Sequence, residues 1–483
     1  MTRINFRIVA AFLMSLALGS SLFAQTSKGF LVGNIVDPNG AVIVGANVKI
    51  TNVSTGVSRE TVSASDGSFR VDAVDPGMYK VEVSQNGFNT ATRDNIIVAA
   101  SQTTTVQFQL EVGTPTEVVD VTSGNDMVLQ TQDGARVNTL SKREITDLPT
   151  PALNPASIVF TLPGVVDPGP LAGGFVQGNE FSVNGLRARA NNQLIDGLDN
   201  NDNSVAGQFY IPALRDGYSE VTVLQSDYSA EFGRAGGAVV NIVTRSGTNQ
   251  FHGSVYDVLN NSAFNSLTAS QRADGTRKPV AVENTFGFSL GGPVKKNKLF
   301  FFGTYQGDRF RSGTDARVRV PTASGFATLR SLFPVGANPN LDRFLSIVGN
   351  LRGEREISSV ALGSGRPDID FGETTVSSTQ PVNDNQYLAR VDWTPTQKDS
   401  IAFRYVLDDQ AFNNQFPGSS PFPGFEIDVP SRVQNLYVNY TRSFSTRTTN
   451  EFRFGYGRFN VEFAPRDPQV GLAGPVFSFT GAG

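Results

Sequence analysis

Eight polar side chains suited to binding a ligand or joining two domains lie close together in the sequence, between positions 187 and 202. They are Arg187, Arg189, Asn191, Asn192, Asp196, Asp199, Asn200 and Asp202. Their guanidinium, amide and carboxylate groups make directional hydrogen bonds. Two interpretations are open: the cluster binds a polar ligand, or it contacts a polar protein wall that satisfies these groups.

The composition excludes cysteine-based chemistry and most histidine-based chemistry. The chain of 483 residues has no cysteine, so it has no disulfide, thiolate zinc site or cysteine nucleophile. Its single histidine, His252, cannot form a zinc site that needs two histidine ligands. The formal net charge of −4 gives no indication of nucleic-acid binding. We therefore predict that the protein is not an enzyme, needs no metal or cofactor and has no nucleic-acid partner.

The elements around the cluster are predicted to be mainly β, because hydrophobic and polar residues alternate from residue 251 onward. In residues 401–408, for example, Ile401 and Phe403 share one face while Arg404 and Asp408 lie on the other. A period of two with arginine on the second face is typical of a wall between lipid and a polar lumen. Seven strands are predicted, near 251–260, 284–294, 299–309, 385–394, 400–409, 432–444 and 450–460.

The connections between these strands alternate between long and short. The short ones are 295–298, 394–399 and 445–449. Outer-membrane barrels pair short periplasmic turns with long extracellular loops in this way. Phe300, Phe301 and Phe302 follow a short turn, so we expect a membrane strand whose aromatic residues contribute to an interfacial girdle. Residues 251–483 are thus predicted to be part of a transmembrane antiparallel β-barrel.

Two further domains are predicted ahead of this barrel. Residues 28–112 contain short β-branched runs separated by turn signals, a pattern that favours a small β-sandwich. Residues 113–250 contain short helical segments followed by alternating strands and glycine-rich turns, a pattern that favours an α+β domain.

The N-terminal 24 residues have the pattern of a secretory signal peptide. Arg3 and Arg7 precede an apolar stretch, 8–18, that is too short to span a bilayer as a helix. Small residues then precede a plausible cleavage site before Gln25. We therefore expect an exported protein.

Both N-terminal domains resemble known families. The segments GNIVD, DGSF and PGMY of the first domain resemble the carboxypeptidase regulatory-like domain, a transthyretin-like sandwich. In the second domain, FSVNG, NQLIDG and the stretch 228–248 resemble the plug of TonB-dependent outer-membrane receptors. The two together resemble the Oar-like branch of that family. The expected fold is therefore mainly β: a transthyretin-like sandwich, an α+β plug and a partial transmembrane barrel.

The resemblance implies a transporter or receptor in the outer membrane of a Gram-negative-type bacterium. Its partners would be the TonB–ExbB–ExbD complex, outer-membrane lipid, and an extracellular siderophore, glycan or peptide ligand. The TonB-binding segment, or TonB box, would lie between sandwich and plug. The nearest candidate consists of Glu117, Val118, Val119, Asp120 and Val121, because an extended segment can add as a strand to a partner sheet.

One alternative function is an adhesin or glycan-binding protein that the barrel anchors in the outer membrane, with the sandwich as its binding module.

The number of predicted strands is too small for a complete barrel of this family. The receptors that the chain resembles close a barrel of 22 strands, and bacterial barrels have an even number of strands, whereas seven are predicted here. We therefore expect the sequence to be the N-terminal fragment of a longer protein.

Overall fold

The computed structural model describes residues 27–113, 118–120, 134–148, 154–166, 181–201, 212–228, 232–233, 235–267, 269–273, 278, 280–363, 365–414, 422, 425–445 and 448–468. Three predicted features therefore lie outside the described residues. They are the signal peptide at 1–24, the box residues Glu117 and Val121, and Asp202.

The first domain is a β-sandwich of two sheets. Its strands are β1 (Gly29–Val36), β2 (Asn47–Asn52), β3 (Ser58–Val62), β4 (Ser68–Val74), β5 (Gly77–Ser84), β6 (Thr90–Val98), β7 (Thr103–Gln109) and β8 (Val118–Asp120). One sheet has the order β4-β1-β7 and the other the order β3-β2-β5-β6-β8. Alternate residues of β5, including Tyr79, Val81 and Val83, are buried between the sheets. The sequence pattern thus forms the predicted sandwich, because a period of two places one face of each strand in the core.

The second domain is built around a five-stranded mixed sheet. Its elements are β9 (Val137–Ser141), α1 (Lys142–Asp147), a 3₁₀ helix (Pro155–Thr161), β10 (Val165–Val166), β11 (Ser182–Val183), a 3₁₀ turn (Ala188–Ala190), β12 (Asn192–Ile195), β13 (Leu198–Asp199), β14 (Tyr218–Leu224) and β15 (Val239–Thr244). The main sheet has the order β13-β12-β15-β14-β9. Helix α1 begins with a capping box between Ser141 and Glu144. Strands β12 and β15 pair in parallel, and both are buried throughout.

The third domain is a curved antiparallel sheet whose main strands pair in sequence order. Its strands are β16 (His252–Asn261), β17 (Ala281–Lys295), β18 (Leu299–Pro321), β19 (Arg355–Val360), β20 (Ile369–Thr396), β21 (Asp399–Phe412), β22 (Ile427–Ser445), β23 (Thr448–Val461) and β24 (Ala464–Pro465). Strand β19 pairs with β20 and β24 pairs with β22, so the seven others form the continuous wall. These seven lie where the sequence predicted them. Within the described residues, β16 and β23 are the edges of this wall.

The two faces of the wall have opposite chemistry. Seven aromatic residues on the outer face are 41–58% exposed: Phe288, Tyr387, Trp393, Phe403, Phe452, Phe454 and Tyr456. Buried polar residues alternate with them on the inner face, among them Ser289, Gln306, Gln386, Arg404, Asp408, Asn435 and Asn439. The predicted division between an outer face and a polar inward face is confirmed, and the second domain lies against the inward face.

The three consecutive phenylalanines divide differently from the expected girdle. Phe300 and Phe302 are buried on the inward face, where Phe302 joins the hydrophobic core of the second domain. Only Phe301 lies on the outer face, with its ring 6.3 Å from that of Phe251. The expectation that these aromatic residues contribute to a girdle was wrong for Phe300 and Phe302, because both face inward, Phe302 against the hydrophobic core of the plug.

A small helical subdomain caps the long connection between β18 and β20. The remaining helical elements are a 3₁₀ turn (Ser262–Phe264), α2 (Ala269–Ala273), α3 (Ala323–Leu332) and α4 (Pro339–Val348). Helices α3 and α4 share a core with the ends of the two strands, formed by Val318, Val320, Leu329, Phe344, Leu345, Val348, Ile369 and Phe371. The sequence predicted only a long loop in this region.

Strands β18 and β20 extend beyond the predicted membrane segments. Their residues 310–321 and 371–382 pair to form a two-stranded ribbon about 40 Å long.

Within the described part of the chain, no helix combines the length and the apolar character needed to cross a membrane.

Candidate functional site at the plug–barrel interface

The central residue of the interface is Asp196, at the turn between β12 and β13. Asp196 and Gly197 have φ values of +52° and +72°, and Ile195 pairs with Leu198 on either side of them. An Asp-Gly pair with positive φ at both positions is favoured in tight two-residue hairpins. The hairpin therefore presents the Asp196 carboxylate at one end of the sheet.

This carboxylate is bound from both the plug and the wall. The backbone N–H and the hydroxyl of Thr244 donate hydrogen bonds to Asp196 at 2.9 and 2.8 Å. From the wall, Arg404 Nε lies 3.1 Å and Arg390 Nη1 3.4 Å from the carboxylate oxygens. We call these four residues, together with Asp392, the latch.

The latch is balanced in charge. Arg390 also pairs with Asp392 at 2.8 Å and donates to the Thr244 carbonyl at 2.9 Å. The side chains of Asp196 and Arg404 are only 3% and 1% exposed. Two arginines thus face two aspartates in a nearly dry interface, where removing one partner of an ion pair costs far more than at a surface.

A second group of contacts joins the segment before β14 to β16, β17 and β18. The Asp216 carboxylate accepts hydrogen bonds from the hydroxyls of Ser254 and Ser289. The Gln306 side-chain oxygen accepts from the Arg215 N–H at 3.0 Å and from the Tyr256 hydroxyl at 2.7 Å. The plug is therefore fastened to the wall at two separated places.

A third group of contacts lies next to the hairpin, on β22 and β23. Asn435 donates to the Asn200 side-chain oxygen at 3.3 Å, and Arg453 donates to the Gly197 carbonyl at 3.4 Å. Gly455 leaves room for Leu198, since a Cβ at position 455 would lie 2.3 Å from a Leu198 methyl group. Both polar bonding and close packing thus hold the hairpin against the wall.

The predicted cluster divides into three groups. Asp196 and Asn200 contact the wall, as described above. Asn191, Asn192 and Asp199 make hydrogen bonds inside the plug; Asn191, for example, donates to the Phe181 carbonyl and accepts from the Ala238 N–H. Arg187 and Arg189 are exposed. The structure does not gather the seven described residues of the cluster into one pocket.

The sequence analysis did not identify the wall side of the latch. Arg404 was recognised only as a member of the polar face of its strand. Arginine is costly on a strand face that will be buried, so its recurrence at inward positions of β20 and β21 was the available signal. The sequence did not indicate which residue pairs with Arg390, because 194 residues separate Arg390 from Asp196.

The sandwich lies at the end of the wall that carries the short turns. The N–H of Asn249 donates to the Ser54 carbonyl and its side chain to Thr55, while Asn297 of the 296–298 turn bonds to the same asparagine. On the plug, the Glu220 carboxylate accepts from the Ala100 N–H at 2.9 Å. Burial raises the pKa of Glu220, although its hydrogen bonds from Thr222 and Ala100 oppose the rise.

A cavity of about 360 Å³ remains where the three domains meet. Its lining includes Arg59 and Asp75 of the sandwich, Arg245 of the plug, and Arg390 and Asp392 of the wall. Charged side chains from all three domains thus line part of the cavity, which borders the latch on the side of the sandwich.

These features define a class of protein: an outer-membrane β-barrel wall with a separate plug domain fastened to its inner face. Three family models match the chain in the same order. They describe a carboxypeptidase regulatory-like domain at residues 31–111, a TonB-dependent receptor plug domain at 130–240 and an outer-membrane β-barrel domain at 243–481.

A characterised relative is similar over much of the chain. The TonB-dependent transporter Oar of Myxococcus xanthus is 29% identical over 314 residues, which cover 61% of this chain and 28% of that protein. The chain thus spans less than a third of the curated relative that it matches. With these matches, the chain belongs to the TonB-dependent outer-membrane receptors and is Oar-like, which places it in the outer membrane.

Solved structures of receptors share part of the fold. The ferric enterobactin receptor of Pseudomonas aeruginosa is 14% identical with a TM-score of 0.41, over 67% of this chain and 41% of that one. The transporter YddB of Escherichia coli is 14% identical with a TM-score of 0.43, over 66% and 38% of the respective chains.

Proposed function

We propose that the protein imports or senses a large or scarce ligand at the outer membrane and is energised through the TonB–ExbB–ExbD complex. The observation that carries this proposal is the latch, in which buried ion pairs hold the plug to the wall. A plug held in this way closes the lumen until an applied force displaces the plug from the wall. An inner-membrane complex that pulls on the chain from the periplasm is a source of that force.

The pulling point is proposed to be the segment Glu117–Val121. Its described part, Val118–Asp120, is extended and forms β8. An extended backbone is the form that a partner sheet captures by strand addition. The segment immediately precedes the plug in the chain, so tension applied there reaches the plug first.

The ligand is proposed to bind on the side opposite the sandwich. The exposed Arg187 and Arg189 remain candidate contacts, together with the long loops that include the α3–α4 subdomain. A siderophore, a glycan and a peptide all offer polar groups that a guanidinium can bind. Asp196, by contrast, is committed to the latch in this closed arrangement.

The alternative, an anchored adhesin or glycan-binding protein, is less well supported. That function needs the sandwich to be available outside the cell. The sandwich instead contacts Asn249 and Asn297, at the end of the wall with the short turns. In outer-membrane barrels this end faces the periplasm.

Capture of the purified periplasmic domain of TonB by the full-length receptor tests the proposal. We expect outer-membrane recovery of the receptor and TonB capture that is lost on deletion of residues 116–122. A deletion of equal length at 123–129 is the matched control and should retain capture. Equal capture by both deletion variants and the wild type would exclude this segment as the TonB box.

A further inference from the structure

The edge strand β8 contains the middle of the proposed TonB box and is already paired. Val118, Val119 and Asp120 lie in parallel register with Thr90, Ala91 and Thr92 of β6. Strand β6 belongs to the sandwich and also pairs with β5 on its other side. The sandwich therefore binds the box by the same strand addition that a partner would use.

We propose that the sandwich keeps the box away from TonB by holding it as β8, so that β8 must leave β6 before TonB captures it. This regulation rests on the function proposed above. Successive residues of a strand direct their backbone groups to opposite edges. While β8 is bonded to β6, only the backbone groups of its outer edge are available to a partner sheet. Release from β6 makes the groups of both edges available.

The sandwich is itself held in place, so β6 is a fixed support for β8. The Ala100 N–H, two residues after the end of β6, donates to Glu220 of the plug at 2.9 Å. Gln102 bonds to Thr139 of β9 at 2.5 Å. With the contacts of Asn249 to residues 54 and 55, these bonds connect the sandwich to both the plug and the wall.

A continuous set of contacts connects the latch to this support. Thr244 of the latch is the last residue of β15, and its neighbour Val243 pairs with Glu220 of β14. Glu220 in turn holds Ala100. A shift of the plug at Asp196 thus displaces the residue that positions the C-terminal end of β6. Strand β8 pairs with Thr90–Thr92 at the other end of β6, so this path reaches β6 without a direct contact to β8.

Engineered cysteines test whether β8 must be released. The chain has no cysteine, so a pair placed at Thr92→Cys and Asp120→Cys is the only pair within it. These positions are Cα partners, and paired strands lie within the range that a disulfide spans. A second pair, Thr90→Cys with Val118→Cys, repeats the test with different side chains. Thr103→Cys with Asp120→Cys is the control, because β7 lies in the other sheet.

In outer membranes containing the full-length receptor, both register pairs should form a disulfide and the control pair should not. Oxidation should lower capture of the TonB periplasmic domain at least about tenfold, because affinity falls with the fraction of receptor whose box is free. Reduction should restore capture to the level that the same variant shows before oxidation, which is the reference for each pair.

Three results would overturn the regulation. Failure of both register pairs to cross-link, while the wild type captures TonB, would show that β8 is not held on β6. Equal capture by oxidised and reduced receptor would show that TonB binds β8 in place on the sandwich. Absence of capture by the wild type would refute the proposed function itself and the regulation with it.

Discussion

The Asp196→Asn substitution tests whether the latch holds the plug. Asparagine has the shape of aspartate and keeps an oxygen that accepts from the Thr244 N–H. It removes the charge that faces Arg404, whose side chain is 1% exposed. Arg404 then keeps the Asn435 side-chain oxygen at 2.7 Å and the Tyr437 ring, both uncharged.

The magnitude follows from the geometry. Two unit charges about 4 Å apart at an effective dielectric constant of about 20 attract each other by about 4 kcal/mol. Removing one partner of a buried pair costs about 3–5 kcal/mol, because the other charge remains without compensation. We therefore expect Asp196→Asn to destabilise the seating of the plug by about 3 kcal/mol or more, with Arg390 limiting the loss through its second partner, Asp392.

A double-mutant cycle separates the pair from other effects. Arg404→Met keeps much of the side-chain volume and removes the buried charge. The double variant, Asp196→Asn with Arg404→Met, should be more stable than Asp196→Asn alone, because no uncompensated arginine remains. The measurement is the free energy of unfolding of the plug in detergent-solubilised full-length receptor, followed by a fluorophore on an engineered plug cysteine.

A coupling energy within about 0.5 kcal/mol of zero would refute the reasoning, since independent sites are additive to that level. Susceptibility of cells to a large hydrophilic antibiotic gives a second readout. A loosened plug should raise it in Asp196→Asn cells and less so in cells with the double variant.

Three further outcomes are expected. Gly455→Ala should destabilise the plug by about 1–3 kcal/mol, because the added Cβ overlaps Leu198. Gly457→Ala is the control, because the space around Gly457 is open. Equal effects of the two substitutions on thermal unfolding would contradict the packing argument. The raised pKa of Glu220 means that its contribution to stability is present below the pKa of the unfolded carboxyl and is lost as pH rises through the higher folded value. The hydrogen-exchange protection factor at the sandwich–plug contact, which is corrected for the intrinsic pH dependence of exchange, should therefore fall as pH rises. Glu220→Gln should remove this fall, and an unchanged profile in that variant would exclude this carboxyl. Phe344→Ala should cost the α3–α4 subdomain about 3–5 kcal/mol and increase its proteolysis with the barrel intact; resistance equal to the wild type would contradict a separate core.

The strands of the wall could be predicted from the sequence because each strand has one face toward lipid and one inward. A period of two is then visible in residues such as Ile401 to Asp408 without any knowledge of their partners. The direction of Phe300 and Phe302 could not be predicted, since lipid and an apolar plug surface both accept phenylalanine. The alternation of hydrophobic and polar residues shows which residues share a strand face, but it does not show what that face contacts.

The helical subdomain was missed for a different reason. Helices α3 and α4 have ten residues each and are marginal alone, and their stability depends on Ile369 and Phe371 of a later strand. The latch was missed because its charges come from two distant parts of the chain, Asp196 and the β20–β21 hairpin. Asp196 was identified as a candidate, but its role depends on arginines that only the tertiary fold brings to it.

The pairing of Asp196 with Arg404 also bears on how easily the lumen fills with water. Substituting one partner leaves a dry, uncompensated charge, but drawing the plug away exposes both partners to water together. The desolvation penalty of both ions is then recovered, and it is comparable to the attraction that is lost. A plug fastened by ion pairs is thus destabilised strongly when one partner is substituted, whereas water that reaches both partners together costs much less. The first water to enter lowers the cost for the next, so withdrawal of the plug is expected to be cooperative.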